Sequence, residues 1–264
     1  MNSIQNHIEK LNQRKRKALS IFLTAGFPDP DHFAALALKI LEAGADILEI
    51  GIPFSDPIAD GPVIQRSSME ALARGVSLST VFPYIEQIKS QTAKPVILMG
   101  YANPIQHYGL QHFLDDAGSA GADGVIIPDI PLEEYNAFWQ QQTSKLSRIL
   151  LTTPTSPAAR IKKIDQKSEG FVYCVSVTGT TGIRTGFNEA VLNNLARTYQ
   201  LISKNKMMIG FGISGPEDIH LFAPYCDGVI VGSAVINHLE ADHTSGFENT
   251  CSFIKNLSNA CQTL

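Results

Sequence analysis

No run of this sequence reaches the eighteen or so apolar residues that a membrane span needs, and its N-terminus has no apolar core of the kind that directs secretion. Cysteine is scarce. The four residues, Cys174, Cys226, Cys251 and Cys261, show no C-x-x-C spacing. That argues against a disulfide framework or zinc ribbon and leaves free thiols in a reducing cytosol, the expected location. Excess positive charge is also missing: the formal net charge is −4, and aromatic and basic residues do not interleave as a nucleic-acid groove requires. The one basic cluster, Arg14 to Lys17, reads as a solvated face or a strand gatekeeper. His107, His112, His220, His238 and His243 lack H-x-x-x-H spacing, so no metal site is expected. No lysine falls inside an expected strand, which argues against Schiff-base chemistry. Carboxylate acid–base work is what remains.

What the sequence does contain is alternation. Strand-like runs at 18–24, 46–50, 95–101, 124–127, 148–152, 171–177, 207–211 and 228–231 are separated by amphipathic stretches at 31–43, 63–75, 79–91, 109–118, 132–143, 157–166, 188–203, 216–222 and 246–261. About eight β/α units without a linker-like gap predict a single-domain TIM (β/α)8 barrel over residues 1–264. The segment before Ala18, with His7 and Ile8, predicts a helix plugging the barrel floor. The alternative is a doubly wound open sheet. It would use fewer strands and place G-x-G-x-x-G after the first, which is absent.

In such a barrel the chemistry lies where strands end. The stretch A-D-I-L-E-I-G-I-P-F-S-D-P-I-A-D-G-P, 45–62, buries Glu49 in an apolar strand and then presents Asp56 and Asp60 in a loop stiffened by Pro53, Pro57 and Pro62. Period-two alternation puts Ile47, Glu49 and Gly51 on one face, with Leu48 and Ile50 on the other. A structural ion pair would also explain Glu49, and a Ser-Asp-Pro turn explains Asp56. Glu49 and Asp60 together read as a functional pair, because an unpaired buried carboxylate costs several kcal/mol.

After the seventh and eighth strands come F-G-I-S-G-P (211–216) and V-G-S-A (231–234), small strand-to-helix turns suited to phosphate. The loop T-G-T-T-G-I-R-T-G (178–186) reads as a lid sharing that phosphate through Gly182, or as a loop without a role. By parity Phe22, Met99, Tyr101, Ile126, Leu151, Tyr173, Phe211 and Ile230 face inward near the rim. The expected substrate is amphipathic, a flat apolar group on a phosphorylated tail.

These residues carry a resemblance. The run L-E-I-G-I-P-F-S-D-P-I-A-D-G-P (48–62), with L-M-G-Y-A-N-P-I (98–105), P-D-I-P-L-E-E (128–134), the 178–186 loop, G-F-G-I-S (210–214) and V-G-S-A, resembles the tryptophan synthase alpha chain family over nearly the whole length. The resemblance implies a barrel lyase that cleaves indole-3-glycerol phosphate to indole and glyceraldehyde 3-phosphate. It implies catalytic carboxylates at Glu49 and Asp60, with Tyr173 placed to hold Glu49. It implies substrate contacts at Phe22, Tyr101, Ile126, Tyr173, Thr181, Gly182, Phe211, Gly212, Ile230, Gly232 and Ser233. Thr180 and Ile183 stand where Val and Ala are expected. It further implies no cofactor in this chain, and docking through Pro53, Asp56 and Pro57 on a pyridoxal-phosphate-dependent beta subunit, as an alpha2beta2 heterotetramer. Another phosphosugar barrel enzyme and a non-catalytic activating barrel are the rival readings.

Overall fold

In the computed structural model, residues 3–139, 142–176, 189–242 and 246–262 are described. Eight parallel strands pair in chain order and close on themselves: β1 (Ala18–Thr24), β2 (Ile47–Gly51), β3 (Val96–Met99), β4 (Gly124–Ile126), β5 (Ser147–Thr152), β6 (Phe171–Val175), β7 (Lys206–Gly210) and β8 (Gly228–Val231). Around them run α1 (Ser3–Gln13), α2 (Phe33–Glu42), α3 (Pro62–Ala73), α4 (Leu78–Lys89), α5 (Ala102–Tyr108), α6 (Leu110–Ser119), α7 (Tyr135–Phe138), α8 (Ala158–Lys167), α9 (Glu189–Leu201), α10 (Pro216–Phe222), α11 (Ser233–Asp242) and α12 (Glu248–Ala260). The eight-stranded (β/α) barrel is therefore the architecture, and the open sheet is excluded.

Alternation along each strand builds two apolar layers. Leu19, Ile21, Leu23, Leu48, Ile50, Leu98, Ile209 and Val229 point outward under the helices. Ile47, Ile97, Ile126, Ile149, Phe171, Met208 and Ile230 fill the barrel. Leu48 and Ile50 thus lie on the covered face, as their parity with Glu49 requires. At the floor, Ile4 and Ile8 of α1 join the inner layer and are fully buried. Burying each is worth about 1.5–3 kcal/mol, enough to hold an eleven-residue helix that would be marginal alone.

Half of the basic cluster is not a solvated face. Arg16 is ion-paired with Asp46 and donates to Gly44 O (3.2 Å) and Ser258 Oγ (3.0 Å), while Lys17 Nζ donates to Cys226 O (2.7 Å). Asp46 in turn accepts from the Leu19 amide at 2.9 Å. These residues lock α12 and the start of β1 to the floor. Lys206 also departs from expectation, since β7 begins there. The absence of lysine from the strands therefore fails as an argument against Schiff-base chemistry, although Lys206 opens its strand at the floor, a strand's length from the rim.

Three helices differ from the sequence reading. α5 was hidden by Asn103-Pro104, but Pro104 sits in its first turn, where the missing N–H is not needed. The Asp129 carboxylate accepts from the Ala102 amide at 3.0 Å and caps that turn. α11 follows directly on the Gly232 turn and was read only as a turn. The expected 132–143 helix contracts to Tyr135–Phe138, because Pro131 starts a turn closed by Glu134 N to Pro131 O at 3.0 Å. Leu150, on the outer face of β5, is left only partly covered.

Candidate active site

Asp60 is held from three directions. Its amide donates to Pro57 O (3.0 Å), its carbonyl accepts from Gln65 Nε2 (2.9 Å), and its carboxylate Oδ2 accepts from the Tyr101 hydroxyl (2.8 Å). Pro62 at the first position of α3 fixes the exit from the loop. Asp60 is 7% exposed. Burial raises its carboxyl to about 6 against the opposing pull of the Tyr101 hydrogen bond. It is mostly ionised at pH 7.

Glu49, in the middle of β2, is 0% exposed. Burial raises it to about 7, opposed by one hydrogen bond, from Ser20 Oγ to Oε1 at 2.8 Å. Oε2 has no hydrogen-bond partner among the described residues. Among the described residues no arginine or lysine pairs with Glu49, so the structural ion-pair reading finds no support there. Tyr173, expected to hold Glu49, is not its hydrogen-bond partner; Ser20 is. Both acids nonetheless act on the buried Tyr173 and help hold its hydroxyl protonated. The two carboxylates and the phenol therefore share one electrostatic neighbourhood.

A cavity beside Asp60 is lined by Phe22, Asp60, Ile64, Met99, Tyr173, Phe211, Ile230, Gly212, Gly232 and Ser233; Glu49 does not line it but acts on Tyr173, which does. Gly210 makes room for the Tyr173 ring, since a Cβ there would lie 2.2 Å from Tyr173 Oη. Ile126 is buried in the inner layer below the rim and is not among the lining residues. Tyr101 lies behind Asp60, also accepting from the Ala59 amide at 3.1 Å and packing on Phe54 at 5.5 Å between ring centroids. A larger cleft, about 580 Å³, shares Phe211 and reaches past Leu151 and Ala59 to Trp139 and Arg148. It contains neither acid, whereas the smaller cavity contains Asp60. Among the described residues no group of three His, Cys, Asp or Glu side chains could hold a metal ion.

At the far end of the cavity the chain turns sharply. Phe211 (φ +74°) and Gly212 (φ +78°) are both left-handed. For Phe211 this conformation costs about 1–3 kcal/mol, and Ser176 Oγ pins it by donating to Phe211 O at 2.6 Å. Asp218 Oδ2 accepts from Ser214 N (2.7 Å), Ser214 Oγ (2.7 Å) and Gly215 N (3.3 Å), so that half of the 211–216 turn is already satisfied. The eighth-strand turn is different. The first turn of α11 aims amides without intrahelical acceptors toward the cavity, its ladder starting at Ile236 N to Gly232 O, 3.1 Å. Ser233 Oγ is buried without a hydrogen-bond partner among the described residues. That end is prepared for an anion.

The sequence reading missed Ser20, Ile64 and Asp218. Ser20 carried a signal, a hydroxyl at an inward position of a strand whose other polar residue is Thr24 at its end. Thr181 and Gly182, with Thr180 and Ile183, lie outside the described residues. Pro53 and Pro57, expected outward, are buried; Ser55, Asp56 and Ile58 are the exposed residues of the loop, Ile58 at 77%. The Pro57–Asp60 turn folds Pro57 inward, which turns its neighbours out.

Buried carboxylates that titrate near neutrality, beside an anion-ready helix start at the C-terminal rim, define an acid–base barrel enzyme for a small phosphorylated substrate. Comparison with known proteins narrows the class. The family model for the tryptophan synthase alpha chain matches residues 8–262. The chain is 44% identical over 241 residues to the tryptophan synthase alpha chain of Geobacter sulfurreducens, covering 91% of each. It is 43% identical over 264 residues to that of Synechocystis sp., covering 98% of this chain and 99% of the relative. The crystal structure of tryptophan synthase subunit alpha from Legionella pneumophila superposes with a TM-score of 0.87 at 37% identity, over 100% of both chains. The chain belongs to the tryptophan synthase alpha chain family. These are carbon–carbon lyases of tryptophan biosynthesis, and the alpha reaction cleaves indole-3-glycerol phosphate. Among the described residues, no helix is long and apolar enough to cross a membrane.

Proposed function

We propose that this chain cleaves indole-3-glycerol phosphate with Asp60 and Glu49 in distinct roles. Protonation of the indole ring at C3 places positive charge on the ring nitrogen, and ionised Asp60 accepts that N–H and stabilises the cation. The hydroxyl on the adjacent side-chain carbon loses its proton, its C–O becomes the aldehyde carbonyl, and the C–C bond electrons return to the ring. Indole and glyceraldehyde 3-phosphate result. Glu49, about half protonated near pH 7, carries the proton between hydroxyl and ring, so the enzyme ends each turnover in its starting charge state. The phosphate sits on backbone amides at Gly212, Gly232 and Ser233. Phe22, Phe211 and Ile230 flank the ring.

The observation that carries this reading is the pair of buried carboxylates, raised to about 7 and about 6, of which Asp60 lines a cavity with an anion-ready end and Glu49 acts on Tyr173 in its wall. Indole release from indole-3-glycerol phosphate tests it. Asp60→Asn should lose about two orders of magnitude in turnover, and Glu49→Gln at least as much while still binding indole-propanol phosphate by calorimetry. Near-normal turnover in either well-folded variant overturns the assignment.

The chain works as the alpha subunit of a cytoplasmic alpha2beta2 assembly, needing no cofactor of its own. Its partner is the pyridoxal-phosphate beta subunit, which receives the indole. Family membership supports this, as does the exposure of Asp56 and Ile58 on the loop that ends at Asp60.

A further inference from the structure

Ser20 is 0% exposed, and it lies at an inward-facing position of β1 between Ala18 and Phe22, both members of the inner apolar layer. A hydroxyl there has no water to bond, and burying it without a partner is costly. Its partner is Glu49 Oε1 at 2.8 Å, across the β1–β2 ladder in which Ser20 pairs with Ile47 and Phe22 pairs with Glu49. Ser20 thus approaches the carboxylate from one layer below the cavity. The two Glu49 oxygens are made unequal, because Oε1 is occupied and Oε2 has no hydrogen-bond partner among the described residues.

We propose that Ser20 is a positioning residue for Glu49: by donating to Oε1 it fixes the carboxyl group and reserves Oε2 as the oxygen that takes up and gives back the proton. The inference rests on Glu49 being the proton carrier of the proposed reaction. Two consequences follow from the geometry. A carboxyl group anchored at one oxygen loses less freedom when substrate arrives, so the proton is exchanged from a preset direction. The donated hydrogen bond also favours the ionised carboxylate and opposes the larger effect of burial. Tyr173 on β6 is acted on by both Glu49 and Asp60, and among the described residues no positive charge acts on Glu49. Among the described residues, Ser20 is therefore the group that keeps Glu49 within reach of neutral pH.

The test compares Ser20→Ala, Ser20→Thr and Glu49→Gln. Glu49 is followed by the carboxylic C=O infrared band that Glu49→Gln removes, and the reaction by the pH profile of kcat/KM for indole release. In Ser20→Ala the midpoint of that band and the limb of the profile set by Glu49 should both move to higher pH by about one unit, the worth of a hydrogen bond to a charged group. Turnover at pH 7 should fall about tenfold, and Ser20→Thr should restore both midpoints. Unchanged midpoints in Ser20→Ala, with or without a drop in melting temperature, overturn the inference and make Ser20 a packing residue. Full activity in Glu49→Gln overturns the underlying reading instead, so the two failures are distinct. Should Ser20→Ala fail to fold, Ser20→Cys decides: a weaker donor in the same place should give a shift of the same sign, and no shift overturns the proposal.

Discussion

The Tyr101 hydroxyl stands 2.8 Å from Asp60 Oδ2 while accepting from the Ala59 amide at 3.1 Å. One side chain thereby ties the charge of Asp60 to the backbone of the loop that carries it. Buried Tyr101 cannot easily ionise beside this acid, and burial with the charge of Asp60 raises its own hydroxyl strongly. It stays a donor at every working pH.

Removing that donor should make Asp60 harder to ionise. In Tyr101→Phe the Asp60 limb of the kcat/KM profile should shift upward from its position near 6, with activity at pH 7 down about tenfold and partly recovered at higher pH. A pH series of indole release checks this. An unshifted limb would mean that Tyr101 serves the loop and not the acid.

Stability should depend on pH with a definite sign. The folded-state values of Glu49 and Asp60, about 7 and about 6, lie above ordinary values of 4.5 and 3.8. Between the lower and the higher value the folded chain binds more protons than the unfolded one, so stability falls as pH rises through that window. The penalty is absent below the unfolded values and complete above the folded ones. Glu49→Gln should therefore match the parent at pH 4 and exceed it at pH 8, by an amount on the order of 2–3 kcal/mol. Urea denaturation at the two pH values measures the difference.

Substitution at the phosphate end is cleanest at Gly232. Gly212, with φ +78°, would add backbone strain to any loss of binding. At Gly232 a Cβ would meet Phe22 Cβ at 3.4 Å, an ordinary contact. Gly232→Val should raise KM about tenfold or more while moving the melting temperature by only about 2–4 °C. Equal losses in binding and stability would make the turn purely structural.

Partner activation should depend on the exposed residues of the 53–60 loop. Asp56→Ala should reduce the gain in indole release on adding beta subunit and leave the small basal rate unchanged; each tenfold of activation corresponds to about 1.4 kcal/mol of preferential binding. Pro57→Ala is a poorer probe, because Pro57 is buried and its carbonyl anchors the Asp60 amide. Equal rates with and without beta subunit would remove the proposed partner.

Barrel and acid pair were legible because both rest on short-range pattern. Alternation in β2 separates Glu49 from Leu48 and Ile50 whatever surrounds it, and prolines announce a fixed loop before Asp60. Contacts between distant segments were not legible. That Ser20, 29 residues before Glu49, supplies its hydrogen bond depends on strand register. That Asp218 satisfies Ser214 and Gly215 depends on how a turn closes. Pro53 and Pro57 show the same limit from the other side, since composition marks a loop but not which of its residues folds inward. α5 was missed because proline reads as a breaker until a carboxylate from the next β/α unit, Asp129, caps the helix it begins.

The packing of Ile4 and Ile8 into the base of the barrel puts a floor under an interior already filled by side chains, so the site is approached from the rim. Substrate, two products and any water must pass the same opening, so their order of departure is decided at the rim. Whatever covers that rim governs whether the small apolar product escapes into solvent or is handed on. A chain shortened by α1 would bare the lowest residues of that inner layer to water and lose stability from the floor, while the rim and anything docked on it kept their geometry.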